Sequence, residues 1–244
     1  MTIRETISEC KHTLRNLGII RPNEKWQGIK IDHSLKEIFN QYIKMQIPET
    51  TEGLAEQTRA DLPWAEDHFQ ERVCGLPLNP GNQYMNWPYY KGMNNDDIFR
   101  KDGIGMQFSH SYMERFWPKG LMTGIRYQIG DFDDFIEKFK SAPHGRQHYF
   151  SIWHPEDQSP GDRRLPCTLG YYFQIINGKL FCTYHIRSCD IYRHFHNDIY
   201  MAGRLMHVVR DRIQSAVKVE MGELHMWIGS LHCFDGEDQL RKDL

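Results

Sequence analysis

At 244 residues the chain is long enough to bury one sizeable hydrophobic core, and a single domain spanning 1–244 is expected. The 30 Lys and Arg against 32 Asp and Glu leave a formal net charge of −2 with no long basic run, which argues against polymeric nucleic acid as a partner but leaves room for a single phosphate. No apolar run approaches the ~18 residues of a membrane span and the N-terminus carries no apolar signal core, so a cytoplasmic protein with no membrane partner is expected.

The first element in chain order is a helix in ETISECKHTLRNLG, followed by a short strand in GIKID. SLKEIFNQYIKM, with apolar residues at helical spacing, predicts a second helix. From Pro77 to Gly105 the density of Pro, Gly and Asn predicts a long loop region, of the kind that often carries function. GDFDDFIEKFKSA predicts a helix opened by acids, which suit the positive end of its dipole.

After Gly145 the texture changes to strands: RQHYFSIWH, then CTLGYYFQII, then KLFCTYHIRS across an Asn177-Gly178 turn that signals a hairpin. That hairpin brings Cys167, at the start of one strand, to the same end of the sheet as Arg187 and Ser188, at the end of the other. HNDIYMAGRLMHVVRDRIQ predicts a helix, and ELHMWIGSLHCF a last strand leading into a Gly-Ser turn. The mixed order predicts the α+β class.

The six cysteines, at 10, 74, 167, 182, 189 and 233, form no C-x-x-C pair and no zinc-like spacing, so no metal is expected. Cys167 stands apart from the rest. It follows RRLP and has Arg187 across the hairpin, and cationic neighbours lower a thiol's pKa and favour the nucleophilic thiolate. The plainer reading is an inert thiol.

The ordered series Pro166-Cys167, then Arg187-Ser188-Cys189-Asp190, then Asn197-Asp198, then Gly229-Ser230-Leu231-His232 resembles the thymidylate synthase family. The similarity is good from about Arg146 to Phe234 and looks closest to the deoxycytidylate hydroxymethylase branch of phages. It implies a mixed sheet packed with helices, with one sheet face used for a homodimer. It also implies a pyrimidine nucleoside monophosphate as substrate, 5,10-methylenetetrahydrofolate as one-carbon co-substrate, and no metal.

The resemblance also assigns roles. Cys167 would add to C6 of the pyrimidine and make C5 a nucleophile. Arg187 and Ser188 would hold the phosphate, joined by Arg146 across a dimer interface and by Lys25. Gln147 stands where a second arginine is usual, which would pass part of that work to Arg163 or Arg164. Asp190 and Trp87 would meet the folate, and His232 the sugar. Phe234 replaces a tyrosine at the sugar, which leaves deoxyribose and ribose both open. His194 replaces a glycine near the folate. Glu66, three residues before Phe69, would be the general acid or base, with Glu71 as runner-up and Tyr112 in the same pocket.

Asp198 decides the base. An asparagine there offers one donor and one acceptor and suits uracil, whereas a carboxylate offers acceptors only and suits the amino group and protonated N3 of cytosine. The implied reaction is hydroxymethylation of dCMP. The alternatives are a CMP hydroxymethylase, a dUMP enzyme if Asn197 faced the base, a nucleotide-binding regulatory module, and a cysteine hydrolase pairing Cys167 with His185 or His232. The plainer reading of Asp198 itself is a helix N-cap.

Overall fold

A capping box starts the chain. The Thr2 hydroxyl accepts from the Glu5 amide while the Glu5 carboxylate accepts from the Thr2 amide, and together they open helix α1, Ile3–Leu17. The structure, a computed structural model, describes residues 1–23, 25–26, 29–30, 33–84, 86–87, 108–121, 130–159 and 164–240. After α1 come β1 (Ile19–Arg21), the two-residue strands β2 (Lys25–Trp26) and β3 (Ile29–Lys30), and the long strand β4 (Leu35–Gln46). The helices α2 (Thr51–Thr58), α3 (Trp64–Arg72), α4 (Tyr112–Phe116) and α5 (Phe132–Ser141) precede β5 (Tyr149–Ser151). The chain then runs through β6 (Thr168–Ile176), β7 (Lys179–Asp190), α6 (Phe195–Ile213), β8 (Glu220–Phe234) and α7 (Glu237–Leu240).

Six strands form one mixed sheet in the order β1-β4-β8-β7-β6-β5. Its pairs are antiparallel except β7 with β8, which run parallel because α6 makes the crossover between them. The α+β class is thus observed. The hairpin turns at Asn177 and Gly178, both at positive φ (50° and 73°), which a type I′ turn requires.

α6 lies against the sheet with Ile199, Ala202, Leu205, Val209 and Ile213 fully buried. α5, opened by the Asp131 cap, contributes Phe132, Phe135 and Phe139 to an aromatic cluster with Phe116, Phe150 and Phe173. Burial of that apolar area, at about 25 cal/mol per Å², is what holds these layers together. α4, which carries Tyr112, is pinned by its buried Arg115, whose guanidinium forks onto Asp157 at 3.1 and 2.8 Å. Among the described residues no helix is long and apolar enough to cross a membrane.

Two elements differ from the sequence expectation. SLKEIFNQYIKM is strand β4, not helix. Asn40, at φ 56°, faces Gly229 between the Phe39–Ser230 and Gln41–Ile228 pairs, and the register with β8 is the same on either side of it. The side-chain alternation shifts there, with Ile38 packed on the core before it and Ile43 after it, so the apolar residues Ile38, Phe39, Tyr42 and Ile43 fall at spacings that mimic a helix. Gly229-Ser230 is not a turn either, because β8 runs unbroken through it. The glycine is needed for another reason: a Cβ there would stand 2.8 Å from the Arg187 carbonyl oxygen of the neighbouring strand. Of the predicted loop from 77 to 105, residues 85 and 88–105 lie outside the described part.

Candidate active site

The β6–β7 hairpin sets Cys167 and Arg187 side by side. The Arg187 amide donates to the Cys167 carbonyl at 2.9 Å, and the side chain folds back to brace the turn. Its Nε donates to the Pro166 carbonyl and its Nη2 to the Leu165 carbonyl, both at 2.9 Å, leaving Nη2 4.0 Å from the Cys167 Sγ. Burial pushes the Cys167 thiol above its ordinary pKa, Arg187 pulls it back, Asp198 adds to the rise and Arg164 opposes it. The sequence argument counted the arginines and missed the burial. Dehydration outweighs them and favours the protonated sulfur.

Behind Cys167 stands a hydroxyl-bearing wall. The Tyr112 hydroxyl accepts from the Thr168 amide and hydroxyl at 3.4 and 3.3 Å. Thr168 Oγ1 also meets the Tyr184 hydroxyl at 2.8 Å, and Tyr184 stacks on Tyr171. Burial raises all three tyrosine pKa values.

Asp198 lies near enough to Cys167 and to these tyrosines for its charge to act on each of them. It lies in the first turn of α6, its amide bonded to the His194 carbonyl at 2.7 Å, so it is inside the helix rather than its cap. Cys189 donates its thiol to Asp198 Oδ2 at 3.4 Å. Burial is the largest influence on the carboxyl and carries its pKa to about 6, against the lowering pull of Arg72, Cys189 and His196. The neighbouring Asn197 is spent elsewhere: its Oδ1 accepts from the Asp61 amide at 2.9 Å and its Nδ2 donates to the Asp61 carboxylate at 2.8 Å.

A second cluster gathers at the ends of β7 and β8. Asp190 is buried, its Oδ1 accepting from the amides of Tyr192 and Arg193 and its Oδ2 from Arg193 Nη1 at 2.8 Å. Arg193 also forks onto Glu237 and lies over the Phe234 ring. His232 is buried in register with Asp190, and Ser188 stands opposite Ser230. His194 stacks on Trp87 with centroids 5.0 Å apart at 15°, making a flat ledge. Its Nε2 is shut from solvent without a hydrogen-bond partner, and burial lowers its pKa to about 4.

The structure therefore brings together Cys167, Arg187, Tyr112 and Asp198, with Asp190, His232 and Trp87 in an adjoining group. Glu66 and Glu71 are engaged elsewhere. Glu66 accepts from Tyr200 at 2.8 Å and from Arg204 Nε and Nη2 at 2.8 and 2.9 Å. Those partners project from the side of α6 opposite Asp198, two and six residues on at 100° each. Glu71 instead accepts from the Gln83 amide, at 3.1 Å to either oxygen.

The remaining phosphate candidates are spread out. Arg146 is exposed at the approach to β5, where its carbonyl accepts from the Tyr172 hydroxyl. Arg164 lies over the Phe108 ring. Arg163 and the Lys25 side chain lie outside the described residues, as does the rest of that loop at 24, 27–28 and 31–32. The described residues contain no cluster of His, Cys, Asp or Glu suited to a metal ion.

Sequence reasoning missed Thr168 and Arg72. A threonine beside a nucleophile carries no signal of its own. The arginine does, since it falls on the apolar face of α3 with Ala65 and Phe69.

The family model described as thymidylate synthase matches residues 82–243. Thymidylate synthase of Listeria monocytogenes serotype 4a (strain HCC23) is 31% identical over 117 residues, 48% of this chain and 36% of that protein. Thymidylate synthase of Listeria innocua serovar 6a is 30% identical over 117 residues with the same coverage, so the matched segment spans about a third of either relative. A structure titled thermostable thymidylate synthase A from Bacillus subtilis matches with TM-score 0.65 at 16% identity, over 96% of this chain and 80% of that one, a likeness of fold. With more than half of its length under the family model, the chain belongs to the thymidylate synthase family.

Proposed function

We propose that the protein is a (deoxy)cytidylate 5-hydroxymethyltransferase, acting on dCMP through covalent addition of Cys167 to the pyrimidine ring. The observation that carries this reading is the carboxylate of Asp198, held by Cys189 and near enough to Cys167 for its charge to act on the sulfur, while the amide of Asn197 is tied to Asp61 and cannot serve the base. A carboxylate accepts from the cytosine amino group and from N3–H, but repels the O4 of uracil.

Cys167 loses its proton and its sulfur bonds to C6. The C5=C6 electron pair moves toward C4, the C4=N3 pair moves onto N3, and N3 takes up the proton. Asp198 then faces two N–H groups, the arrangement its two oxygens stabilise. 5,10-Methylenetetrahydrofolate, when bound, supplies the one-carbon unit for C5, and water completes the hydroxymethyl group.

The ledge of Trp87 and His194, with the orphaned His194 Nε2, fits a flat hydrogen-bonding heterocycle such as the pterin of that co-substrate. Asp190 can join it only by giving up part of its hold on Arg193. Arg187 and Ser188, with Arg146 of the partner subunit and Lys25, would take the phosphate. His232 would meet the sugar. Phe234 offers no hydroxyl there, so CMP stands beside dCMP as a candidate substrate.

The outer sheet face exposes Phe39, Tyr42, Tyr149 and Trp227, an apolar patch suited to a homodimer. Tritium release from 5-tritiated dCMP, CMP and dUMP, with and without methylenetetrahydrofolate, tests the assignment. Release from dCMP is expected. Release from dUMP alone would defeat the role of Asp198, and release from none would favour a binding module.

A further inference from the structure

Glu37 lies on β4 as the direct cross-strand partner of His232 on β8, and its side chain is only 5% exposed. A carboxylate so shut from water is costly unless its oxygens are paired. Both are paired here. Oε1 accepts from Nη1 of Arg21, the last residue of β1, and Oε2 accepts from the Ser230 hydroxyl at 2.7 Å. Ser230 precedes His232 by two residues, so it stands diagonally across from Glu37, a span that a long side chain covers.

These contacts fix where the hydrogens lie. A carboxylate oxygen only accepts, so the Ser230 hydroxyl hydrogen is committed to Glu37 and its oxygen is left to accept from another group. Nδ1 of His232 is 3.3 Å from that oxygen and 3.3 Å from the Ser230 carbonyl oxygen. A carbonyl also only accepts, so the two contacts together require the ring hydrogen on Nδ1. In the uncharged ring Nε2 is then the acceptor, and it makes no hydrogen bond among the described residues. Ser188 is the β7 partner of Ser230, which sets this group beside the proposed phosphate site.

We propose that Glu37 is a positioning residue for the sugar: by holding the Ser230 hydroxyl it keeps Nε2 of His232 a hydrogen-bond acceptor, so that the site takes a nucleotide whose sugar hydroxyl is free to donate. The proposal rests on the reading that His232 meets the sugar. Without Glu37, the Ser230 hydroxyl is free to turn its hydrogen onto Nδ1. Nε2 then carries the ring hydrogen and donates to the sugar oxygen instead. A blocked sugar oxygen, such as a 3′-O-methyl ether or a 3′-phosphate ester, cannot donate but can still accept. The acceptor form of His232 rejects it, which confines the substrate to a free nucleoside monophosphate rather than a residue within a polynucleotide.

The test reads the imidazole directly. Long-range proton–nitrogen correlation of the full chain labelled with nitrogen-15 histidine, at pH 8, is expected to show the His232 hydrogen on Nδ1, the signals being assigned by their loss in His232→Gln. Glu37→Leu is expected to shift the population toward Nε2–H. Adding Ser230→Ala to Glu37→Leu is expected to restore Nδ1–H, because the carbonyl remains and the competing hydroxyl is gone. Calorimetry with dCMP and 3′-O-methyl-dCMP is expected to show the parent preferring dCMP about tenfold, the single variant losing most of that preference and the double variant regaining it. The bulk of the methyl group is the same for all three proteins, so only the hydrogen-bond role of Nε2 moves the ratio.

A parent with the hydrogen on Nε2 overturns the proposal whether or not a variant folds. So does a Glu37→Leu spectrum identical to the parent's, or a change that Ser230→Ala fails to reverse, which would leave Glu37 a structural group only. Should Glu37→Leu fail to fold, Glu37→Met, which keeps the length without the carboxylate, decides by the same readouts. A parent that binds neither nucleotide sinks the nucleotide reading and this proposal with it. Binding with the expected tautomer but no tritium release supports the role of Glu37 and confines the failure to Cys167 and Asp198.

Discussion

Cys189 gives its thiol hydrogen to Oδ2 of Asp198 across 3.4 Å, and this weak donor is the only hydrogen-bond partner that the Asp198 side chain has among the described residues. A carboxylate so poorly compensated is a cost to the fold. Its pKa is raised to about 6, so between about pH 4 and 6 the folded state holds a proton that the unfolded chain has released. Stability therefore falls as pH rises through that window and stays lower above it. Asp198→Asn removes the cost. Thermal or urea denaturation at pH 8 is expected to show the variant more stable by as much as about 3 kcal/mol, with no gain at pH 3.5. The same variant should release tritium from dUMP in preference to dCMP. A variant no more stable at pH 8 than the parent would contradict the partly buried, poorly compensated state of this side chain.

Cys167 sets the opposite limb. Burial holds its thiol above the ordinary range and Arg187 only moderates this, so the thiolate fraction should still be climbing above neutral pH. The rate of iodoacetamide labelling at Cys167, read by mass spectrometry of the peptide, is expected to rise steadily to pH 9 and beyond. Arg187→Gln should slow labelling several-fold at pH 8 by removing the pull on the sulfur. A plateau of the parent rate below pH 7 would mean that the arginines win after all.

Much of this site was legible because it is built on a hairpin. Asn177-Gly178 fixes the turn, the turn fixes the register, and the register puts Cys167 beside Arg187. Two kinds of feature escaped. The alternation of β4 shifts at Asn40, opposite Gly229, and local periodicity cannot distinguish such a strand from a helix; only pairing with β8 does. The balance of charge against burial at Cys167 and Asp198 depends on residues from α3, β7 and α6 that converge only in three dimensions. Glu66 illustrates the same limit, since its spacing from Phe69 was visible and its tie to Arg204 was not.

That tie predicts a structural consequence for Glu66. Its carboxylate, forked by Arg204 and bonded by Tyr200 and Gln70, has its pKa lowered to about 2 despite the opposing effect of burial. A depressed folded pKa contributes stability that is present above about pH 4.5 and lost as pH falls toward 2. Glu66→Gln is expected to cost about 1 to 2 kcal/mol at pH 7, measured by urea denaturation, with the difference shrinking below pH 4. If its main work is this bridge between α3 and α6, the pH profile of tritium release should keep its shape in the variant while the protein melts earlier. An altered profile at unchanged stability would return Glu66 to the chemistry.

The outer face of the sheet carries the last prediction. Tyr42 and Trp227 are cross-strand partners with ring centroids 4.9 Å apart, both more than a third exposed, and Phe39 nearby on β4 is 71% exposed. Side chains of this size are seldom left on a monomer's surface in one patch, because each fully buried one stabilises association by about 1.5 to 3 kcal/mol. Sedimentation velocity is expected to show a dimer, and Trp227→Glu, which sets a charge at the centre of the patch, a monomer. The consequence for chemistry separates an interface from mere stickiness. If Arg146 of the partner subunit completes the phosphate site, mixing inactive Arg146→Ala with inactive Cys167→Ser chains should restore activity in the mixed dimers. Each mixed dimer would then own one site with both the sulfur and the arginine. No recovery on mixing, with subunit exchange verified, would mean that each chain binds its phosphate alone.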